Sequence, residues 1–192
     1  MALIPKKYKD ILVKDQKSFM GFDSIEDFRL REEFRRQTSW HIPSQSLINL
    51  ILEHSPIVSV GCGHAYTEFL ASKKGADIIC TDLSPHSGNG WCVGDKFYMS
   101  IEKLECKKAV LKYPERNVFM AWPPYDHPVA YRTVKAMKSG KILIYVGEYR
   151  GGCTGDESFF NYLNENFENL KTTAKIKSWF GIHDNVFLYR KK

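Results

Sequence analysis

The sequence has no apolar run near the roughly 20 residues needed to span a bilayer. Its first residues, Met1-Ala2-Leu3-Ile4-Pro5-Lys6-Lys7, hold too short an apolar stretch for a secretory signal. The expectation is a soluble, cytoplasmic protein without a membrane partner. No Cys-x-x-Cys pair occurs, and the five cysteines (Cys62, Cys80, Cys92, Cys106 and Cys153) are an odd number. A disulfide framework and a metal site are therefore not expected, and the thiols read as reduced. There is no internal repeat, no low-complexity tract and no Pro/Gly/Ser-rich linker. The 192 residues suit one domain. It reads as an N-terminal helical cap over 1–50 and a core over 51–192.

What is present is ordinary in bulk: 43% hydrophobic and 26% charged residues. The net charge of +6 and the isoelectric point of about 9.0 favour an anionic partner such as nucleic acid. An excess of solvated lysines accounts for the same charge. Ser24-Ile25-Glu26-Asp27 has the form of a capping box and predicts a helix to about Arg36. That helix carries Arg29, Arg31, Arg35 and Arg36, which either grip phosphates or pair locally with Glu32 and Glu33. Pro43-Ser44 opens a second, apolar helix that ends at Ser55-Pro56.

From Ile57 the pattern changes. Ile57-Val58-Ser59-Val60 is a short β-branched run ending in Gly61. A helix follows through Glu68-Phe69-Leu70-Ala71 and stops at Gly75, and residues 77–82 form the next strand. This is a β-α-β unit, the mark of a parallel sheet. Residues 83–100 read as irregular, with a weak strand near 101–104 and a short helix to Tyr113. Further strands are predicted over 117–121 and 141–146, with a helix over about 128–138 between them. Thr154-Gly155-Asp156-Glu157 reads as a second capping box, opening a helix to about Phe167. The chain is expected to end in an antiparallel hairpin with strands near 172–180 and 185–190.

The loop Gly61-Cys62-Gly63 sits between a strand and a helix, where glycines let the backbone approach a ligand. Asp82 ends the second strand, 19 residues after Gly63, where a carboxylate can accept both ribose hydroxyls of an adenosine group. Either feature alone has a structural explanation. In register within one β-α-β unit they indicate an adenosine-bearing cofactor. A dinucleotide loop needs a third glycine, and Tyr66 stands there instead. That residue and the terminal hairpin favour S-adenosylmethionine over NAD.

These segments resemble the class I S-adenosylmethionine-dependent methyltransferases. Val58-Ser59-Val60-Gly61-Cys62-Gly63 is similar to their glycine-loop signature, and Thr81-Asp82-Leu83 to their ribose-binding acid. Ala121-Trp122-Pro123-Pro124-Tyr125 is similar to the Asp/Asn-Pro-Pro-Tyr signature of amino methyltransferases. Trp40-His41-Ile42-Pro43-Ser44 fits the segment that lies over the cofactor in that branch. More narrowly, Trp-Pro-Pro-Tyr and Gly151-Gly152-Cys153-Thr154-Gly155-Asp156 resemble a methyltransferase-like group. The resemblance covers about residues 40–192. It implies an α/β, Rossmann-like three-layer sandwich, whose mostly parallel seven-stranded sheet ends in an antiparallel hairpin. It also implies a cofactor site of Trp40, Ser59, Gly61, Cys62, Gly63, Asp82, Leu83 and Trp122. The catalytic side would hold Trp122, Pro123, Pro124, Tyr125 and Glu148, with no metal.

Two positions depart from the family pattern. Ser59 replaces the acid two residues before the first loop glycine, and Trp122 replaces the Asp or Asn before Pro-Pro-Tyr. Indole is a donor only and cannot accept a hydrogen bond from a target NH₂. Trp122 is either an aromatic wall against adenine or a flat substrate, or a packed aromatic at a strand end. Tyr125 either stacks on substrate or packs. Asp126, His127 and Glu148 are candidates for orienting or deprotonating an acceptor, and each also reads as a loop charge. Cys153 lies in a glycine-rich loop that either holds an anion or only turns. The acceptor is open among nucleic acid, protein and small molecule. Its choice falls to the cap, residues 83–100, loops such as 148–156, or a partner protein. The alternative is a methyltransferase-like shell that binds cofactor, or acts as a scaffold, without catalysis.

Overall fold

The computed structural model describes residues 24–83, 97–179 and 181–192. Most of the irregular segment read over 83–100, the first 23 residues and Cys92 lie outside that set, as do the side chains of the capping box at Ser24. Helix α1 runs Ser24–Gln37, α2 Gln45–Glu53 and α3 Tyr66–Ser72. Helices α4 (Cys106–Lys112), α5 (Val129–Ala136) and α6 (Glu157–Asn166) follow. The strands are β1 (Ile57–Val60), β2 (Ile78–Asp82), β3 (Ile101–Lys103), β4 (Asn117–Ala121), β5 (Ile142–Gly147), β6 (Phe167–Leu170) and β7 (Asn185–Lys191).

The seven strands form one sheet in the order β3-β2-β1-β4-β5-β7-β6. Strands β1 to β5 pair in parallel, and β7 runs antiparallel to both β5 and β6. Central strands buried on both faces read as continuous apolar runs, and β1 and β5 are buried at every residue. Alternation sorts their side chains into two cores. Val58, Val60, Val118, Met120, Leu143 and Tyr145 meet α4, α5 and α6 through Val110, Val134 and Phe159. Ile57, Phe119, Ile144 and Val146 meet α2 and α3 on the other face through Leu47, Ile48, Ile51 and Ala71. Ser44 caps α2 by accepting from Leu47 N at 3.1 Å, and Leu47, Ile48 and Ile51 are fully buried. Helix α2 thus spans the boundary read at 50/51 and packs directly on the sheet.

Two expectations about the C-terminal part were wrong. Among the described residues 172–179 the strand read over 172–180 does not form. Residues 171–176 belong to no strand, and Lys177 makes one isolated bridge to Ile42. The backbone of Lys175 is bound instead by α2: its carbonyl accepts from Ser44 Oγ (2.6 Å) and Ser46 Oγ (3.0 Å), and its N–H donates to Ser46 Oγ. The strand paired with β7 is β6, which starts where α6 stops and inserts the buried ring of Phe167 into the core. The antiparallel pair is therefore real, but residues 171–184 connect it rather than a tight turn. The second error is the cap of α6. Asp156, not Thr154, accepts from Phe159 N at 2.9 Å. The Thr154 hydroxyl is occupied elsewhere, accepting from Glu148 N (2.8 Å) and lying 2.7 Å from the Tyr145 hydroxyl.

Candidate functional site

The C-terminal ends of β1, β2 and β4 open onto a cavity of about 350 Å³, within the size range of small-molecule sites. One wall is the loop after β1. Gly61 (φ +63°) and Gly63 (φ +55°) are both left-handed, a conformation that favours glycine. A Cβ on Gly63 would meet nothing within 4 Å, so the space beside the loop is open. The Asp82 carboxylate reaches across from β2 and accepts from Gly63 N at 3.0 Å. Cys62 N donates to Thr81 O at 3.2 Å. Gly61, Cys62, Gly63, Asp82 and Leu83 all line the cavity.

The opposite wall is aromatic. Trp40 and Trp122 stack with centroids 5.3 Å apart and planes 18° from parallel. Two arginines of α1 cover them. Arg35 lies 4.3 Å from the Trp40 ring centre, and Arg31 lies 5.8 Å from Trp40 and 5.6 Å from Trp122, within cation–π range. Arg35 is also paired with Glu32. Trp122 is left-handed (φ +53°) and is held by its N–H to Val146 O at 2.9 Å. Trp40, Trp122, Pro123 and Pro124 line the cavity.

The floor holds the predicted Ser59 together with three polar groups that the motif reading missed, His41, Thr67 and Glu68. Ser59 points to the α2/α3 face of β1 and donates to Glu68 Oε1 at 2.5 Å. Glu68 is buried, and burial pushes its carboxyl up to about 7 against the Ser59 hydrogen bond, with the Asp82 charge adding to the rise. His41 bonds Thr67 Oγ1 through Nε2 (2.9 Å), and burial holds its ring neutral, with a pKa lowered to about 3. His41, Thr67, Ser59 and Glu68 line the cavity. The signal for Glu68 was a lone carboxylate among Tyr66, Thr67, Phe69, Leu70 and Ala71.

The remaining candidates separate. Tyr125 is 57% exposed and does not line the cavity, nor does exposed Asp126, whereas His127 does. Glu148 is buried outside the lining, and both its oxygens are taken. Oε2 accepts from Cys153 N (2.6 Å) and Oε1 from His183 N (2.8 Å). Burial opposes its ionisation, but these two amides outweigh burial and hold Glu148 below the usual carboxylate range. It is an ionised tie between the loop after β5 and the segment before β7, poorly suited to take a proton. Behind Trp122 lies Asp184, buried, with neither carboxyl oxygen in a well-formed hydrogen bond among the described residues. Burial raises it to about 7, and the nearby Trp122 indole partly offsets this as a loosely aligned donor. Cys153 is exposed with a free thiol. Among the described residues no group of three or more His, Cys, Asp or Glu is placed to hold a metal, and no helix is long and apolar enough to cross a membrane.

No family model matches the chain, and no curated protein matches it by sequence. Solved structures match it by shape. Magnesium protoporphyrin IX methyltransferase from Synechocystis PCC 6803 with bound S-adenosylmethionine (SAM) superposes with a TM-score of 0.54 at 10% identity. The match covers 95% of this chain and 90% of that one. The same enzyme with bound S-adenosylhomocysteine (SAH) gives 0.53 at 10% identity over 97% and 93%. A SAM-dependent methyltransferase from Archaeoglobus fulgidus covers 92% of this chain and 97% of its own at 13% identity, with a TM-score of 0.45 too low to add weight. Together with the sheet order and its single reversed strand, the first two show that this chain has the class I methyltransferase fold.

Proposed function

We propose that the chain binds SAM and is a methyltransferase. One observation carries this reading: a single cavity joins a left-handed glycine loop with Asp82 at one side to a buried polar floor at the other. That layout suits a ligand with a ribose at one end and an amino acid at the other. The groups present fit SAM. Asp82 lines the cavity at the end of β2, where a carboxylate can meet ribose hydroxyls, Gly61 and Gly63 clear space beside the backbone, and the Trp40–Trp122 wall offers flat apolar surface. The matched Synechocystis enzyme holds SAM or SAH in its own structures, which supports the same cofactor here. When bound, SAM supplies an electrophilic methyl group on sulfur. The chain's own contribution is then orientation and proximity, with Pro123 and Pro124 shaping the acceptor side and the tryptophans excluding water.

The acceptor is read more coarsely. Net charge of +6 keeps an anionic partner such as nucleic acid among the candidates, beside a protein or a small molecule. A second reading, cofactor binding without transfer, is favoured by Trp122, which puts a stacked indole where an amino methyltransferase needs an acceptor atom. Calorimetry with SAM, SAH and NAD tests the cofactor. Binding of SAM and SAH but not NAD is expected, and binding of NAD alone would replace the reading. A methyl-transfer screen on RNA, protein and small-molecule acceptors then separates enzyme from shell.

A further inference from the structure

The cavity floor contains a carboxylate that the glycine-loop motif does not supply. Ser59 stands where the family has an acid, yet its hydroxyl lies 2.5 Å from Glu68 Oε1 on the first turn of α3. A carboxylate is thus returned to the same place from a different element. Glu68 is only 4% exposed and lines the cavity. Among the described residues its one side-chain partner is Ser59, and no lysine or arginine pairs with it. Arg35, the lining cation, is engaged with Glu32 and the Trp40 ring. His41 is bonded to Thr67 and held neutral. A buried carboxylate with a single hydroxyl donor is costly to ionise. A ligand bringing its own cation into the cavity relieves that cost.

We propose that Glu68, clamped by Ser59, is the subsite for the ammonium group of the ligand's amino-acid end. The assignment rests on the SAM reading above and adds a specificity to it. The cavity selects adenosine compounds that carry an α-amino group over those that lack one. Ser59 is then a positioning residue, which holds Oε1 so that the second oxygen faces the cation.

The test is calorimetry on the full chain with two ligands. SAH carries the ammonium group, and 5′-methylthioadenosine keeps the adenosine and sulfur without it. Glu68→Gln preserves shape and the Ser59 hydrogen bond. It is expected to weaken SAH by tenfold or more and to leave 5′-methylthioadenosine within twofold. Adding Ser59→Asp to that variant moves a carboxylate back beside the same point and is expected to recover most of the lost SAH affinity. Ser59→Ala, which keeps the carboxylate, is expected to cost SAH a few-fold and 5′-methylthioadenosine nothing. Unchanged SAH affinity in the Gln variant, or equal losses for both ligands, overturns the subsite while leaving the cofactor reading standing. Failure of the wild-type chain to bind SAH at all overturns the cofactor reading and the subsite with it.

Discussion

Trp40 and Trp122 stack face to face in the lining of the cavity, with centroids 5.3 Å apart. One comes from the segment before α2 and the other from the end of β4, and Arg31 lies over both rings. The position that would carry an acceptor side chain in an amino methyltransferase is therefore committed to an aromatic wall. Trp122→Asn removes stacking worth roughly 0.5–1.5 kcal/mol beyond area burial. Asparagine tolerates a positive φ better than tryptophan does, so a loss is not due to backbone strain. The variant is expected to bind SAM or its acceptor more weakly and to gain no amino methylation. New methylation of an adenine or a glutamine amide by Trp122→Asn contradicts the wall.

Two buried carboxyls make stability fall with rising pH. Burial raises Glu68 from 4.5 to about 7, and Asp184 from 3.8 to about 7. Between those limits the folded chain keeps protons that the unfolded chain has released. The stabilisation is complete below the unfolded values and is lost as pH rises through about 7. His41, shifted from 6.5 to about 3, gives an opposite slope between those values. The informative quantity is thus the change of slope on substitution. Glu68→Gln and Asp184→Asn should each remove up to about 1.4 kcal/mol per pH unit between pH 5 and 7. Urea unfolding at pH 5, 6 and 7 measures it, and slopes identical to the wild type in both variants contradict the assignment.

Gly155 is a stability hotspot rather than a ligand contact. Its φ is +67°, and a Cβ there would sit 2.7 Å from Phe159 Cδ1 and 3.2 Å from Phe160 Cε2, both rings buried. Strain and overpacking together predict a loss of about 2 kcal/mol for Gly155→Ala. For a chain of this size that is a fall in Tm of roughly 4–8 °C. A variant as stable as the wild type by scanning calorimetry would contradict the packing described.

The four arginines of α1 divide into two roles. Arg31 and Arg35 cover the tryptophans, while Arg29 and Arg36 are exposed. If the basic charge serves nucleic acid, binding falls steeply with salt, and Arg29→Gln with Arg36→Gln flattens that slope without disturbing the wall. Absence of RNA and DNA binding at low salt makes those two arginines a solvated face.

Much of the fold is legible in the sequence itself. Ile57–Val60, Asn117–Ala121 and Ile142–Val146 are short apolar runs because parallel strands are covered on both faces. Gly61, Gly63 and Asp82 can be placed together because one β-α-β unit fixes their spacing. What failed depended on contacts between distant segments. Residues 172–180 alternate well enough for a strand, but the hydroxyls of Ser44 and Ser46 take the Lys175 backbone. Thr154 matches a cap by type, yet Tyr145 and Glu148 use its hydroxyl. Glu68 resembles an ordinary helix charge until β1 brings Ser59 within 2.5 Å of it. Glu148 has the right position in sequence for a base, and only the folded chain shows its oxygens filled by two amides.

SAM is expected to bind in the cavity between the glycine loop and the tryptophan wall, with Asp82 at its ribose end. Calorimetric titration of SAM into the wild type and Asp82→Ala tests this most directly. Loss of hydrogen bonds to a charged group predicts a penalty of about 1.5–3 kcal/mol, roughly 10- to 150-fold in Kd. Asp82 also accepts from Gly63 N–H, so thermal unfolding must show the variant folded. Weakening of that size in a folded variant is the predicted result. Equal SAM affinity in the two proteins, or no SAM binding by the wild type, would contradict it.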